Sequence, residues 1–270
     1  MSYQTLQANL DSRGVLTVSL NRPEIRNAFN EILIAELGQV FGKDALKPEV
    51  KVVILRGEGP IFSAGGDLNW MKKSIELNYE DNLRDTRILS QMFATMNECP
   101  KPVVGAIHGA AIGGGVGMVS ICDIAIATKD TQFSLSEVRL GIVPACIGPF
   151  VISKIGASHA RGLFMSAERF MAPKAKEVGL IHEVVADEAA LAAEVERVVS
   201  NMLQCGPNAM AAAKRLVLDL SWPERRAQHA QPLEYVSRLL ADLRVSPEGQ
   251  EGLKAFLEKR KPSWLQKDSK

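Results

Sequence analysis

The sequence has almost no excess of charge of either sign: its 270 residues include 32 Lys and Arg and 31 Asp and Glu, for a formal net charge of +1. This balance provides no overall attraction toward nucleic acid or an anionic membrane. Aromatic residues make up only 6%, which leaves few side chains on which bases could stack. We therefore expect neither a nucleic-acid partner nor a membrane partner.

Cysteine and long apolar runs are also scarce. The four cysteines form no CxxC pair and no other metal-ligand spacing, so we predict free thiols, a reducing cytoplasmic compartment and no metal site. The N-terminal residues lack a basic start followed by an apolar stretch, which argues against a secretory signal. No run approaches the ~20 apolar residues that a membrane-spanning helix needs.

Hydrophobic residues make up 46% of the chain, enough for a sizeable core. Up to about residue 188, strand-like segments alternate with helical patterns, which predicts an α/β fold with parallel strand pairing. The strand-like segments lie at 15–20, 50–56, 103–107, 124–127, 132–136 and 181–185. From about residue 189 onward the pattern is helical throughout.

Two glycine-rich loops each follow a buried-type strand and precede a helix: FSAGGD at 62–67 and HGAAIGGGVG at 108–117. Helix N-termini present unpaired N–H groups, and glycine lets a ligand approach the backbone closely. Two such loops side by side could direct two amides at one oxygen and form an oxyanion hole. The alternative is that glycine only allows tight packing of helix on sheet, which is the more economical reading of either loop alone.

Five segments, in order along the chain, resemble the crotonase family of enoyl-CoA hydratases and isomerases. They are NRPEIRNAF (21–29), FSAGGDL (62–68), HGAAIGGGVGMVSICDIAIA (108–127), SLSEVRLGIVP (134–144) and AKEVGLIHEVV (175–185). SLSEVRLG and the C-terminal RVSPEGQEGLKAFLEKRKPSW are most similar to the branch of bacterial 3-methylglutaconyl-CoA and isohexenylglutaconyl-CoA hydratases. The resemblance implies a spiral core of ββα turns over residues 1–188, with the acyl-CoA site. A helical C-terminal region over residues 189–270 would pack in a homotrimer or hexamer.

The same resemblance implies a site for an acyl-CoA thioester, with coenzyme A as part of the substrate and no further cofactor. The backbone N–H groups of Gly66 and Gly114 would hold the thioester oxygen, and Glu137 would move the proton. We also predict contacts of the substrate or its coenzyme A with a further set of residues: Arg26, Ala64, Asp67, Leu68, Gly115, Pro144 and Ala145.

The sequence departs from the family pattern in two places. Family hydratases commonly carry a second glutamate at the position of Gly117, and many have a glycine-rich loop where this chain has Pro144-Ala145-Cys146-Ile147-Gly148. The side chains of this loop would make the pocket narrower and less polar, which fits a branched acyl group or a changed reaction. We predict hydration by Glu137 alone; an enoyl-CoA isomerase, or a non-catalytic acyl-CoA- or RNA-binding protein, is the alternative.

Several other residues have a structural interpretation beside the functional one. Glu137 could form a surface ion pair with Arg139, two residues along an extended segment. Asp67 is predicted to cap the next helix and so to hold the Gly66 amide in place. His108 is predicted to be a packed, hydrogen-bonded residue. Trp70 and Met71 either line the acyl pocket or pack in the core. Lys72, Lys73, Lys259 and Lys261 either contact the phosphates of coenzyme A or lie on the solvated surface.

Overall fold

A computed structural model describes residues 3–228 and 231–265. The strands are β1 (Leu6–Leu10), β2 (Val15–Leu20), β3 (Val52–Gly57), β4 (Val103–Ile107), β5 (Ala110–Ile112), β6 (Ile124–Thr128), β7 (Gln132–Ser134), β8 (Arg169–Met171) and β9 (Glu183–Val185). Six of them form one sheet in the order β1-β2-β3-β4-β6-β9. Only the β1–β2 pair of this sheet is antiparallel. The β-branched runs of β3 and β4 lie in the middle, as expected of strands covered on both sides.

The helices fill the connections between strands and most of the described C-terminal part. They are α1 (Glu31–Gln39), α2 (Leu68–Glu76), α3 (Tyr79–Glu98), α4 (Gly114–Ile121), α5 (Gly148–Ser166), α6 (Ala172–Glu177), α7 (Glu188–Met202), α8 (Pro207–Ser221), α9 (Pro223–Gln228), α10 (Pro232–Val245) and α11 (Pro247–Leu257). Several helices are capped at the N-terminus by a short polar side chain. Asn30 accepts a hydrogen bond from the Leu33 N–H at the start of α1, and Ser246 accepts one from the Gly249 N–H at the start of α11.

A second, smaller sheet has the order β5-β7-β8 and holds the glycine-rich segment that follows β4. β5 runs parallel to β7, and β7 runs antiparallel to β8. The six predicted strands are confirmed with small shifts of their ends, but β1, β5 and β8 were not predicted. β5 and β8 are only three residues long, too short for an alternating pattern.

The large sheet is covered on both sides. On one side, a large apolar cluster joins it to α1, α3, α4 and α5. On the other side, α7 packs its buried residues Leu191, Val195 and Val199 against β3, β4 and β6. The C-terminal ends of β3 and β4, which lead into the two glycine loops, are therefore held by packing on both faces of the sheet.

The C-terminal helices are tied to the core by ion pairs and also expose apolar side chains. Lys214 of α8 pairs with Asp123, just before β6, at 2.8 Å. On α11, Leu253, Phe256 and Leu257 are exposed, a pattern typical of a surface that another chain covers. The trimer or hexamer stays a prediction. Within the described ranges, no helix combines the length and apolarity needed to cross a membrane.

Candidate active site

The Gly66 amide is oriented by a short parallel ladder with Phe29. The Phe29 N–H donates to the Gly65 carbonyl at 2.7 Å, and its carbonyl accepts from the Asp67 N–H at 2.8 Å. Both neighbours of Gly66 are thereby tied to the same side, and amides alternate in direction along an extended segment. The Gly66 N–H therefore points away from Phe29.

On that opposite side lies the strand that leads into α4. The Ser63 N–H donates to the Ala110 carbonyl at 3.0 Å, and the Ser63 carbonyl accepts from Ile112 at 3.0 Å. A Cβ added to Gly65, whose φ is +86°, would lie 2.8 Å from the Ile112 carbonyl oxygen and 3.8 Å from the Gly114 amide nitrogen. Glycine at 65 thus allows the two predicted donor loops to come into direct contact.

Gly114 is the first residue of α4, where the helix has no internal acceptor for the amide. Its neighbour Gly113 donates to the Ser134 carbonyl at 2.8 Å, and the first helical bond runs from the Gly117 N–H to the Gly113 carbonyl. Among the described residues, neither the Gly66 amide nor the Gly114 amide has a protein acceptor. Two such donors on adjacent loops, one at a helix N-terminus, can bind a single negatively charged oxygen.

The Glu137 carboxyl lies beside the second of these loops. Glu137 begins a short 3₁₀ helix, Glu137–Leu140, and a Cβ added to Gly113 would lie 3.0 Å from its Oε1 atom. The Oε2 atom is buried and has no hydrogen-bond partner among the described residues. Burial raises the pKa of this carboxyl, and only the backbone N–H of Glu137 itself opposes the shift. Such a group is suited to accept and return a proton.

The surface ion pair between Glu137 and Arg139 is not formed. The Arg139 guanidinium donates to the Ala167 carbonyl at 3.1 Å instead. The physical reason is the local conformation: the segment is a 3₁₀ helix rather than an extended strand, so residues two apart do not share a face. Within the described part of the chain, the carboxyl of Glu137 has no charged partner.

The two places that depart from the family pattern, Gly117 and the loop that contains Ile147, pack against each other. A Cβ added to Gly117 would lie 2.3 Å from the Cγ2 atom of Ile147 and 2.9 Å from the Cε1 atom of Phe93. Ile147 is 4% exposed, just before α5. Its side chain thus occupies the space that any side chain at position 117 would need, and this side of the site is apolar.

We expect the Gly117→Ala substitution to destabilise the protein by about 1–3 kcal/mol, because the added methyl group overlaps Ile147 in a packed core. Denaturant unfolding of Gly117→Ala, of Ile147→Ala and of the double variant measures the coupling energy between positions 117 and 147. The double variant should lose less than the sum of the single losses.

The matched control is Gly38→Ala in α1, where an added Cβ meets nothing within 4 Å. A methyl group there should be neutral or should stabilise the helix by about 0.5–1 kcal/mol. Strictly additive losses in the double variant would contradict the contact between positions 117 and 147.

Four of the predicted binding residues lie around Gly66. Arg26 is exposed, and its carbonyl accepts from the Ala64 N–H at 2.9 Å, so these two residues adjoin. Asp67 caps α2 by accepting from the Asn69 N–H, as predicted, and the exposed Leu68 begins that helix.

The other predicted binding residues lie near Gly114 and Glu137 along the chain. Gly115 is buried against the Ser63 carbonyl. Pro144, which is buried, and Ala145, which is exposed, belong to the loop between the Glu137 helix and α5. His108 is buried, and its Nε2 atom lies 2.8 Å from the Gly59 carbonyl oxygen, which confirms the packed role. Of the two lysines on α2, Lys73 pairs with Glu31 at 2.7 Å, and Lys72 is exposed.

Sequence reasoning missed the residue that contacts Asp67. Arg22 donates to the Asp67 carboxylate at 3.0 Å and to the Ala28 carbonyl at 2.6 Å. The only available indication was its place in the segment NRPEIRNAF, since a partner 45 positions away leaves no periodic pattern. The described residues also contain no group of three or more His, Cys, Asp or Glu that could hold a metal ion.

The chain is similar to known proteins along most of its length. Residues 11–267 match the family model described as "Enoyl-CoA hydratase/isomerase". The chain is 32% identical to the 2,3-dehydroadipyl-CoA hydratase of Escherichia coli, over 93% of this chain and 94% of that one. It is 31% identical to the peroxisomal Delta(3,5)-Delta(2,4)-dienoyl-CoA isomerase of Arabidopsis thaliana, over 97% of both chains.

Solved structures support the same assignment. An enoyl-CoA hydratase from Shewanella pealeana has a TM-score of 0.90 at 38% identity and covers 97% of this chain and 96% of its own. AtuE of Pseudomonas aeruginosa has a TM-score of 0.92 at 36% identity and covers 97% of this chain and 100% of its own. The predicted α/β fold with a crotonase-type spiral core and a C-terminal helical region is confirmed.

Proposed function

Because the chain belongs to the enoyl-CoA hydratase/isomerase family and is an enzyme of the hydratase type, we propose that it adds water across the double bond of a branched 2-enoyl-CoA. The proposed substrate is 3-methylglutaconyl-CoA or isohexenylglutaconyl-CoA. The observation that carries this proposal is the pair of amides, at Gly66 and Gly114, that have no acceptor among the described residues. They lie beside the half-buried carboxyl of Glu137, whose buried Oε2 atom has no hydrogen-bond partner there either.

The two amides would bind the thioester carbonyl oxygen. When water adds at C3, negative charge develops on this oxygen as the thioester becomes an enolate. The amides are already oriented, one by the Phe29 ladder and one by the start of α4, so they need no reorganisation as the charge appears. Each donor of this kind typically lowers the barrier by about 3–4 kcal/mol.

Glu137 would remove the proton from water and deliver the proton to C2. Its ionised carboxylate removes a proton from water as the water oxygen forms a bond to C3, and the electron pair of the double bond moves toward the carbonyl. The protonated carboxyl then returns a proton to C2, so that one water molecule is added and the glutamate is regenerated. A pKa raised by burial favours both halves of this cycle.

The apolar side of the site supports a branched acyl group. Ile147 fills the space over Gly117, so one side of the cavity offers methyl groups rather than a second carboxylate. The relative from Escherichia coli is named for an enoyl-CoA whose acyl chain ends in a free carboxylate. A glutaconyl thioester has the same feature, which supports a dicarboxylic substrate for this chain.

An enoyl-CoA isomerase is the second candidate, because position 117 is glycine and supplies no second carboxylate beside Glu137. In that reaction, Glu137 would carry a proton between C2 and C4, and no water would be added. The similarity to a dienoyl-CoA isomerase also supports this candidate. We further propose assembly as a homotrimer or hexamer, supported by the exposed apolar residues of α11.

Incubation of the purified protein with 3-methylglutaconyl-CoA separates these functions. Hydration predicts loss of the enoyl-thioester absorbance and a product heavier by one water, with label incorporated from isotopically labelled water. Isomerisation predicts an unchanged mass with a displaced double bond. Unbranched crotonyl-CoA is the matched substrate, and it should react more slowly. If neither enoyl thioester is altered, the proposal is wrong.

A further inference from the structure

We infer that Arg22 is a positioning residue that keeps the Gly66 amide directed into the oxyanion hole. This inference rests on the proposed function, since it assigns a role within the same site. Arg22 belongs to neither donor loop and does not contact Gly66 itself. It acts through the two chain segments that orient Gly66.

The guanidinium of Arg22 connects both sides of the Phe29 ladder. One nitrogen donates to the Ala28 carbonyl at 2.6 Å, directly before Phe29, and the other donates to the Asp67 carboxylate at 3.0 Å, directly after Gly66. The side chains of Arg22 and Asp67 are only 15% and 10% exposed. A planar guanidinium with two well-separated donors is suited to such a bridge, and a lysine ammonium is not.

The Gly65–Gly66 peptide needs such support because both residues are glycine. Glycine adopts many backbone conformations at little steric cost, so this peptide plane could rotate. A rotated plane would direct the Gly65 carbonyl into the hole and the Gly66 N–H toward Phe29. The two ladder bonds of Phe29 oppose the rotation, and they require that residue 29 and residue 67 stay in register.

The charge of Arg22 has a second consequence. Burial alone would raise the pKa of Asp67, but the hydrogen bonds from Asn69 and Arg22, with the positive charge of Arg22, outweigh it and lower the pKa. Asp67 therefore stays ionised one residue from the Gly66 amide. Without Arg22, its carboxylate would oppose the negative charge that develops on the thioester oxygen.

The test measures carbonyl polarisation directly. An unreactive acyl-CoA with an isotope-labelled thioester carbonyl is bound to each variant, and difference infrared spectroscopy records the carbonyl stretch. The wild-type protein should lower this frequency on binding. Arg22→Ala should lose most of the shift and lower kcat by about 10- to 100-fold with little change in KM, because a misdirected donor affects the transition state. Arg22→Lys should fall between the two.

The matched control is Lys214→Ala, which removes another largely buried ion pair, with Asp123 at 2.8 Å, on α8. It should cost stability without changing the carbonyl shift. A full shift in folded Arg22→Ala, or in Arg22→Lys if the alanine variant does not fold, would overturn the role of Arg22 while leaving the oxyanion hole intact. No shift in the wild-type protein would overturn the hole itself, and this inference with it.

Discussion

Glu137→Gln is expected to lower kcat by about 10²- to 10⁴-fold, the usual contribution of a general acid–base group, while acyl-CoA binding is nearly unchanged. Glutamine keeps the size of the side chain and the approach of its Oε1 atom to Gly113, but it cannot accept and return a proton. Steady-state turnover of 3-methylglutaconyl-CoA gives kcat, and calorimetric titration with an unreactive acyl-CoA gives the affinity. Activity within a few-fold of wild type would exclude Glu137 as the catalytic group.

The control for this substitution is the stability of the variant. Because burial raises the pKa of Glu137 above its usual 4.5, the folded protein binds the proton more tightly than the unfolded chain. Wild-type stability therefore falls as the pH rises from the unfolded pKa through the folded pKa, and the variant lacks this loss. Glu137→Gln should thus be more stable than wild type at neutral pH, with no advantage below about pH 4.

A second control separates the site from glutamates in general. Glu183 is exposed and pairs with Lys176 at 2.7 Å in β9. Glu183→Gln should leave kcat and its pH dependence unchanged, because surface ion pairs contribute little. In the wild-type protein, the acidic limb of kcat/KM should lie above pH 4.5, since the base must be ionised. A limb at or below that value would contradict a base whose pKa is raised by its surroundings.

The position of the two donor loops could be anticipated from the sequence, whereas the direction of their amides could not. Each loop follows a buried-type strand, and the C-terminal ends of parallel strands meet at one edge of a sheet. The Gly66 amide, however, is directed by hydrogen bonds with Phe29, which lies 37 positions earlier in the chain. No local pattern near the glycines specifies that register.

Two further features of the site depend on contacts between distant residues. Gly117 and the Ile147 loop could each be identified as a departure from the family pattern. That Ile147 fills the space beside Gly117 is visible only once α4 packs beside the start of α5. The ion pair of Arg22 with Asp67 has the same character. For Glu137, the expected extended segment was a 3₁₀ helix, and this local difference removed the partner at Arg139.

The contribution of a single backbone donor can be isolated at Gly114. Proline is tolerated at the first position of a helix, because the missing N–H has no partner within the helix. Gly114→Pro therefore removes one proposed oxyanion donor at a place where α4 itself does not need it. We expect kcat to fall by about 10²- to 10³-fold relative to Gly114→Ala, which retains the N–H.

The alanine variant is the necessary reference because both substitutions add a Cβ, which would lie 3.0 Å from the Phe29 ring. Any loss from this contact is common to the pair, and unfolding measurements on both variants determine its size. The difference in kcat between Gly114→Pro and Gly114→Ala then measures the effect of replacing the N–H group by the proline ring. The thioester carbonyl frequency should follow the same order, with the larger shift in the alanine variant. Equal turnover and equal shifts in the two variants would mean that the amide of residue 114 does not hold the thioester oxygen.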